Sequence, residues 1–183
     1  MKRLFSIASV MLLFSAIFFV TAGAGANMVK HPTHGMWTGT DYLVGPCPDT
    51  TNFPPEAFLF VNIGQGVMTH IGKSNFVSVA CASFTSETSL EGSGWMIVTA
   101  SNGDTIHVSI DFSNDLSVTP IQWMEHEVIE GGTGRFEGAT GESDTEGTFA
   151  PVTDPFPFGE SIPPALLQPP SPWIGTTEGW IMY

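Results

Sequence analysis

The chain has 183 residues, of which 18 are acidic and only five are basic, for a formal net charge of −13. Such a charge repels phosphate groups, so the composition excludes nucleic acid and anionic membrane surfaces as partners. The length suffices for a short leader and one domain with a hydrophobic core.

Residues 1–26 have the features of an export signal. Lys2 and Arg3 precede an apolar run over 4–20, and Ala24-Gly25-Ala26 fits a cleavage site. Cleavage after Ala26 leaves three basic residues against 18 acidic ones, a net charge of −15. An uncleaved anchor is the alternative, since the apolar run is at the short end of a membrane span. The mature chain, 27–183, is therefore predicted to be secreted or periplasmic and free of the membrane after cleavage.

The two cysteines, Cys47 and Cys81, are expected to form an intramolecular disulfide, because an exported chain folds in an oxidising compartment. Two unpaired thiols, one of them buried, are the alternative. Their wide separation gives little support to a metal site.

The mature sequence predicts an all-β fold, because short apolar runs recur between glycine and proline and no helical period is present. The last segment is predicted to return to the first strand, which closes a single antiparallel β-barrel of about eight strands and removes exposed sheet edges. A proline-rich loop is expected at about 151–172, since proline lacks the amide donor that a sheet interior needs. The candidate strands are 35–44, 57–63, 66–72, 75–84, 94–101, 104–112, 121–130, 142–150 and 174–183.

The dipeptide Asn102-Gly103 predicts a hairpin with a two-residue type I′ turn. That turn would pair Ile97 with Val108 and Trp95 with Ile110 on an apolar face. Met96, His107 and four further residues would then lie on a mixed face, which suits either solvent exposure or the lining of a cavity. The four are Val98, Ala100, Ser109 and Asp111.

The strand predicted at 121–130 also alternates without a purely apolar side. Trp123, Glu125 and Glu127 share one side, whereas Met124 and His126 share the other. Across strands, His107 and His126 are placed to meet Glu125, Glu127 or Asp111. Histidine beside carboxylates suits acid–base chemistry, so His107, His126 and Glu125 are the catalytic candidates. Trp95, Met96 and Trp123 are the candidates for ligand binding. The simpler interpretation is that the histidines form hydrogen-bonded pairs with carboxylates on the protein surface.

The segment GGTGRFEGATGE at 131–142 does not fit a phosphate-binding loop, because it lacks GK[ST] and carries carboxylates that oppose a phosphate. Its glycines instead predict a point where a strand ends, bulges and re-enters the sheet. Arg135 is expected to be a structural ion-pair partner. The residues of this structural motif are Gly131, Gly132, Gly134, Arg135, Phe136, Gly138 and Gly141.

The same segment resembles the hallmark of the allene oxide cyclase and dirigent superfamily. GQGVMTHIGKSNF (64–76) and VTASNGDTI (98–106) are also similar to segments of exported bacterial proteins of that barrel type. The resemblance implies an eight-stranded antiparallel barrel, lipocalin-like in outline, whose interior can hold one small ligand. It does not carry over catalytic residues, because the cyclases' acidic N-terminal strand motif has no counterpart in MWTGTDYLVGP.

Three functional hypotheses follow for the barrel. It binds a small apolar or aromatic molecule, or it is an isomerase or cyclase that confines a reactive substrate, or it is a filled structural domain. No cofactor and no metal site are expected, although His31 and His34 are close in sequence; a mobile N-terminal segment is the preferred interpretation of that pair. Self-association is left open.

Overall fold

The computed structural model describes residues 28–149 and 171–183, which form a closed barrel of eight antiparallel strands. Each strand pairs with the next, and β8 pairs with β1, as predicted for the last segment. The predicted strands 57–63 and 66–72 were wrong as separate elements, since β2 runs through both until a turn at 69–71. The strands are β1 Lys30–Pro46, β2 Phe58–Met68, β3 Gly72–Ser86, β4 Ser89–Ala100, β5 Thr105–Asp115, β6 Gln122–Gly132, β7 Thr140–Phe149 and β8 Ser171–Met182.

The predicted leader at 1–26 lies outside the described residues, as does the proline-rich stretch up to residue 170. The end of the predicted loop, Ser171 and Pro172, belongs to β8 instead. Pro172 pairs with Thr40 of β1, but β7 ends at Phe149, opposite Trp173. Among the described residues, Pro172 pairs on the β1 side only, a position that tolerates the missing amide donor. Within the described residues, no helix is long and apolar enough to cross a membrane.

The register predicted for the β4–β5 hairpin was wrong by one residue. Met96 pairs with Val108 and Ile97 with His107, because the loop has three residues, Ser101 to Gly103. Gly103 alone in this loop has a positive φ, and its amide donates to the Ala100 carbonyl. This is a turn followed by a glycine bulge rather than a type I′ turn. A slip of one residue exchanges the two faces of a strand, so Trp95 and Ile97 point outward.

The inward-facing residues form one continuous core along the barrel axis. At the end closed by the β4–β5 hairpin and the β6–β7 connection, the core is apolar and fully buried around Ile106, Phe136 and Ile181. Tyr183 packs against it with its ring 5.3 Å from that of Phe136. Burial of each such side chain contributes about 1.5–3 kcal/mol to stability. This end therefore anchors the barrel, and polar interior groups lie further along the axis.

The glycine-rich segment is a bulge and a turn in the barrel wall, as its sequence predicted. The pairing of β5 with β6 shifts between His107 and Val108, and Gly134–Phe136 form a 3-10 turn before β7. Gly134 has φ of 60°, and a Cβ at this position would overlap the Asp104 carboxylate. Phe136 is fully buried, so the turn also plugs this end of the barrel.

Arg135 makes a hydrogen bond and an ion pair to two neighbouring turns. Its Nη2 donates to the Ile71 carbonyl at 2.8 Å, and its Nε lies 3.8 Å from Asp104 Oδ2. It therefore ties the 3-10 turn to the β2–β3 turn and to the β4–β5 hairpin.

The predicted disulfide between Cys47 and Cys81 is confirmed, with a Cα–Cα distance of 5.6 Å. It joins the segment after β1 to β3, on the outside of the barrel wall. Ala57, Phe53 and Leu59 pack around it in a small second core. The bond fixes the β1–β2 connection at the barrel end opposite Phe136.

Candidate ligand cavity

A cavity of about 50 Å³ lies inside the barrel, on the side of the core away from Phe136. This space holds a few water molecules or the head group of a small ligand, since one water needs about 10–15 Å³. Strands from all around the barrel contribute to its wall. The polar residues of the wall are Asp41, Asn62, Ser78, Asn114, Glu125, Glu127 and Thr145.

Three carboxyl groups face this cavity from two strands. Asp41 comes from β1, whereas Glu125 and Glu127 come from alternate positions of β6 and so share its inner face. Glu127 is buried and accepts hydrogen bonds from Ser143 Oγ at 2.5 Å and Thr145 Oγ1 at 2.7 Å. The Thr145 hydroxyl also lies 2.5 Å from that of Thr177. The neighbouring strands β7 and β8 therefore hold Glu127 in a fixed orientation.

Burial raises the pKa of all three carboxyl groups. The pKa of Asp41 rises from 3.8 to about 7 because its charged form loses water. Burial raises the pKa of Glu125 well above its usual value, and the charges of Glu127 and Asp41 raise it further. Burial also raises the pKa of Glu127, against the opposing hydrogen bonds from Ser143 and Thr145. The cavity therefore holds protons near neutral pH, where ordinary carboxyl groups have released them.

Aromatic side chains form the rest of the wall. The rings of Trp123 and Trp173 are 4.9 Å apart, and Trp37 contacts Phe76 edge-on at 5.5 Å. The Trp173 indole donates to Asn62 Oδ1 at 3.1 Å. Glycines on adjacent strands make room for these large rings, since a Cβ at Gly66 would overlap Trp37.

Trp123 differs from Trp173 in its hydrogen bonding. Its side chain lines the cavity, the residue is only 8% exposed, and its Nε1 is buried. Within 28–149 and 171–183, no protein atom accepts a hydrogen bond from this Nε1. A buried donor without an acceptor costs about 1–3 kcal/mol, which a bound molecule with an acceptor would offset.

The structure separates the residues proposed from the sequence into two groups. Glu125, Met96 and Trp123 face the cavity, whereas Trp95, His107 and His126 point outward. The prediction that the histidines meet Glu125 or Glu127 was wrong, because neighbouring positions of a strand lie on opposite faces. His126 does face Asp111 across β5 and β6, as expected.

His126 instead belongs to the charged outer surface. Its Nδ1 lies 2.8 Å from Asp144 Oδ1, and this hydrogen bond is the main cause of its raised pKa. Both side chains are largely exposed to solvent. The pair is therefore a solvated cross-strand contact on the outside of the barrel.

His31 and His34 do not form a mobile segment, since both lie in β1. They are three positions apart in a strand and therefore point to opposite faces. His31 stacks on His70 at 4.6 Å, whereas His34 lies 3.7 Å from Glu178. Among the described residues, His, Cys, Asp and Glu side chains form no group of three able to hold a metal ion.

Sequence reasoning missed Asp41 as a site residue because its strand reverses the usual alternation. The apolar Tyr42 and Val44 are exposed, while Asp41 faces the interior. The mixture of Trp123 and Glu125 on one side of β6 was the available signal for a polar interior, and Glu127 belongs to that same side. Asn62 and Asn114 gave no comparable signal.

No protein-family model matches this sequence, and no curated protein matches it significantly. Among solved structures, the chain is similar to a pterocarpan synthase dirigent protein at 16% identity and a TM-score of 0.45. The match covers 85% of this chain and 87% of that chain. The superfamily membership suggested by GGTGRFEGATGE stays a prediction. The chain's own fold and site define a closed eight-stranded antiparallel barrel with carboxyl groups in its interior.

Proposed function

We propose that this protein is an exported barrel that binds a small molecule in its interior cavity. A polar group of the ligand meets the carboxyl groups of Asp41 and Glu125, and its apolar or aromatic part packs against tryptophan and phenylalanine side chains. The observation that carries this proposal is the shared cavity of three carboxyl groups and an aromatic wall.

The buried carboxyl groups argue against a barrel filled only for stability. An apolar residue of similar volume avoids the cost of burying an ionisable group, and core positions without a function favour it. Ionisable groups with strongly shifted pKa values concentrate at functional sites. The small volume of the cavity limits what enters it to a head group. Phe60, Phe112 and Phe149, closer to the strand ends, are available to contact the remainder of the ligand.

A second candidate function is an isomerase or cyclase that acts on the bound molecule. The pKa of Asp41, at about 7, suits proton exchange near neutral pH, and burial also raises the pKa of Glu125 in the same cavity. One group would accept a proton while the other donates one. Binding comes first in either case, because the reaction requires the molecule in the cavity.

The proposed export rests on residues 1–26 and is supported by the disulfide, which persists in an oxidising compartment. Purification of the mature chain from the exported fraction also provides the material for testing the function.

The test compares molecules retained by the wild type and by Ala80→Val, measured by native mass spectrometry and then after denaturation. Ala80 lines the cavity, so a larger side chain fills part of it. The control is Thr38→Val, at an exposed position of β1. We expect a small molecule on the wild type and on Thr38→Val, and its loss from folded Ala80→Val. Equal retention by Ala80→Val, or an empty wild-type barrel, would contradict the proposal.

A further inference from the structure

Within 28–149 and 171–183, no positively charged side chain pairs with the three carboxyl groups of the cavity. We propose that the ligand is an organic ammonium compound that also carries a hydrogen-bond-accepting oxygen, such as an amino alcohol. This inference rests on the proposed binding function and specifies the chemical class of the ligand.

The basic residues of the described chain all lie away from the cavity. The Lys30 Nζ sits 4.1 Å from the centre of the Trp180 ring, which is on the outer side of β8, and Lys73 is exposed on β3. Arg135 is bound to the Ile71 carbonyl near the opposite end of the barrel. A charged carboxyl group in the cavity therefore gains no protein counter-ion, and a bound cation would supply one.

The wall also fits an organic cation. Trp37, Trp123 and Trp173 line the same space, and the negative faces of aromatic rings attract ammonium groups. A metal ion fits less well, since no three His, Cys, Asp or Glu side chains of the described residues have an arrangement that could hold one. An anionic ligand would be repelled by the carboxyl groups.

The hydrogen-bond-accepting oxygen of the proposed ligand is inferred from Trp123. Its buried Nε1 has no acceptor among the described residues, and an ammonium group has no lone pair to offer it. A hydroxyl or ether oxygen on the ligand would satisfy this donor without adding negative charge.

The affinity for an organic cation should depend on pH, because the carboxyl groups of the cavity become charged when they release their protons. A cation binds most strongly when Asp41 is charged, so affinity for an amine should rise between pH 6 and pH 8, through the Asp41 pKa of about 7. Glu125 and Glu127, which face the same cavity, would shift in the same direction. The amine itself stays charged over this range, since alkylammonium groups release their proton at higher pH.

The test uses three probes of matched shape: phenylethanolamine, the neutral styrene glycol and the anionic mandelate. Isothermal titration at pH 8 should give an affinity for phenylethanolamine about tenfold or more above that for styrene glycol, with mandelate weakest. Glu125→Gln and Asp41→Asn should each remove most of the preference for the amine. The exterior variant Glu142→Gln should retain it.

Equal or tighter binding of styrene glycol or mandelate would overturn the charge assignment while leaving the proposed binding function intact. Absence of binding by all three probes would also overturn the charge assignment. The molecules retained by the wild type and by Ala80→Val decide the binding function separately.

The outer surface of the barrel supports an independent inference. Tyr42, Ile63, Val77, Trp95 and Ile97 form an apolar outer face across β1–β4, and each is between 37% and 50% exposed. Ile63, Val77 and Ile97 lie in one cross-strand row, and Tyr42 and Trp95 lie in the next. An exposed apolar area that spans several strands is typical of an interaction surface.

We infer that the apolar outer face binds a second copy of this chain. The exposed acids Asp111, Glu142, Asp144 and Glu178 lie on β5, β7 and β8. Two copies with a net charge of −15 each repel one another through that side, whereas the two rows of the apolar outer face contain no charged residue. A symmetric dimer through this face buries the apolar side chains and keeps the acids apart.

Sedimentation velocity of the wild type, Val77→Lys and Met124→Lys tests this inference. Met124 is 62% exposed on β6, so its variant adds the same charge outside the apolar outer face. We expect dimers for the wild type and Met124→Lys, also at high salt, and monomers for Val77→Lys. A monomeric wild type, or identical behaviour of the two lysine variants, would overturn it.

Discussion

Asp41 of β1 and Glu125 of β6 face the same cavity from non-adjacent strands of the barrel, where burial raises the pKa of both groups and the charge of Asp41 raises that of Glu125 further. The two strands do not pair, since β1 pairs with β8 and β6 pairs with β7. The two groups meet because the closed barrel directs both side chains into one interior. Their proximity gives the interior a polar centre whose protonation changes near neutral pH.

The Asp41 pKa predicts a pH dependence of stability. Between pH 3.8 and about 7 the folded chain keeps a proton on Asp41 that the unfolded chain releases, so the free energy of unfolding falls as pH rises through this window. Glu125, Glu127 and His126 also have raised pKa values, and each contributes in the same direction.

Asp41→Asn should therefore raise the free energy of unfolding at pH 8 by about 1–2 kcal/mol, since Asp41 is partly exposed and solvent reduces the full cost. Urea unfolding at pH 5 and pH 8 measures the effect. Asp115→Asn is the control, because hydrogen bonds from Ser117 lower the Asp115 pKa. A similar gain in that control would show that the Asp41 carboxyl group is not the cause.

The barrel-wall turn predicts a difference between two glycines with positive φ. Gly134→Ala should destabilise the fold more than Gly138→Ala, because a Cβ at 134 overlaps the Asp104 carboxylate, whereas a Cβ at 138 meets open space. Backbone strain alone is expected to cost about 1–2 kcal/mol at either position. Chemical denaturation of both variants checks this, and equal losses would mean that the Asp104 contact is relieved at no cost.

Loss of the disulfide should lower stability by about 3–4 kcal/mol, because the bond closes a loop between residues 34 positions apart. The double variant Cys47→Ser, Cys81→Ser compared with the wild type in guanidinium measures the difference. The reduced wild type should match the double variant. Unchanged stability in both would show that the β1–β2 connection contributes little to the folded barrel.

The fold could be predicted largely from local sequence signals. These signals are the glycines and prolines between apolar runs, the glycine-rich bulge at 131–138 and the strand pattern at 174–183. Each reflects the backbone conformation of the residues that carry it. The interior could be predicted only in part, because the side on which a residue lies depends on register. A hairpin loop of three residues instead of two moved Trp95 outward and Met96 inward. The inward orientation of Asp41 could not be predicted, because the apolar residues beside it in β1 point outward and the polar residue points inward.

The indole N–H signals of the five tryptophans report directly on whether the interior binds a small molecule. Trp37, Trp123 and Trp173 line the cavity, whereas Trp95 and Trp180 point outward. The two outer indoles therefore serve as controls for binding outside the cavity. In a 15N-detected NMR titration with phenylethanolamine and then styrene glycol, we expect the signals of the three cavity indoles to shift, that of Trp123 most of all, while the signals of the two outer indoles stay unchanged. Shifts confined to Trp95 and Trp180, or binding of either probe without a shift of the three cavity indoles, would contradict it.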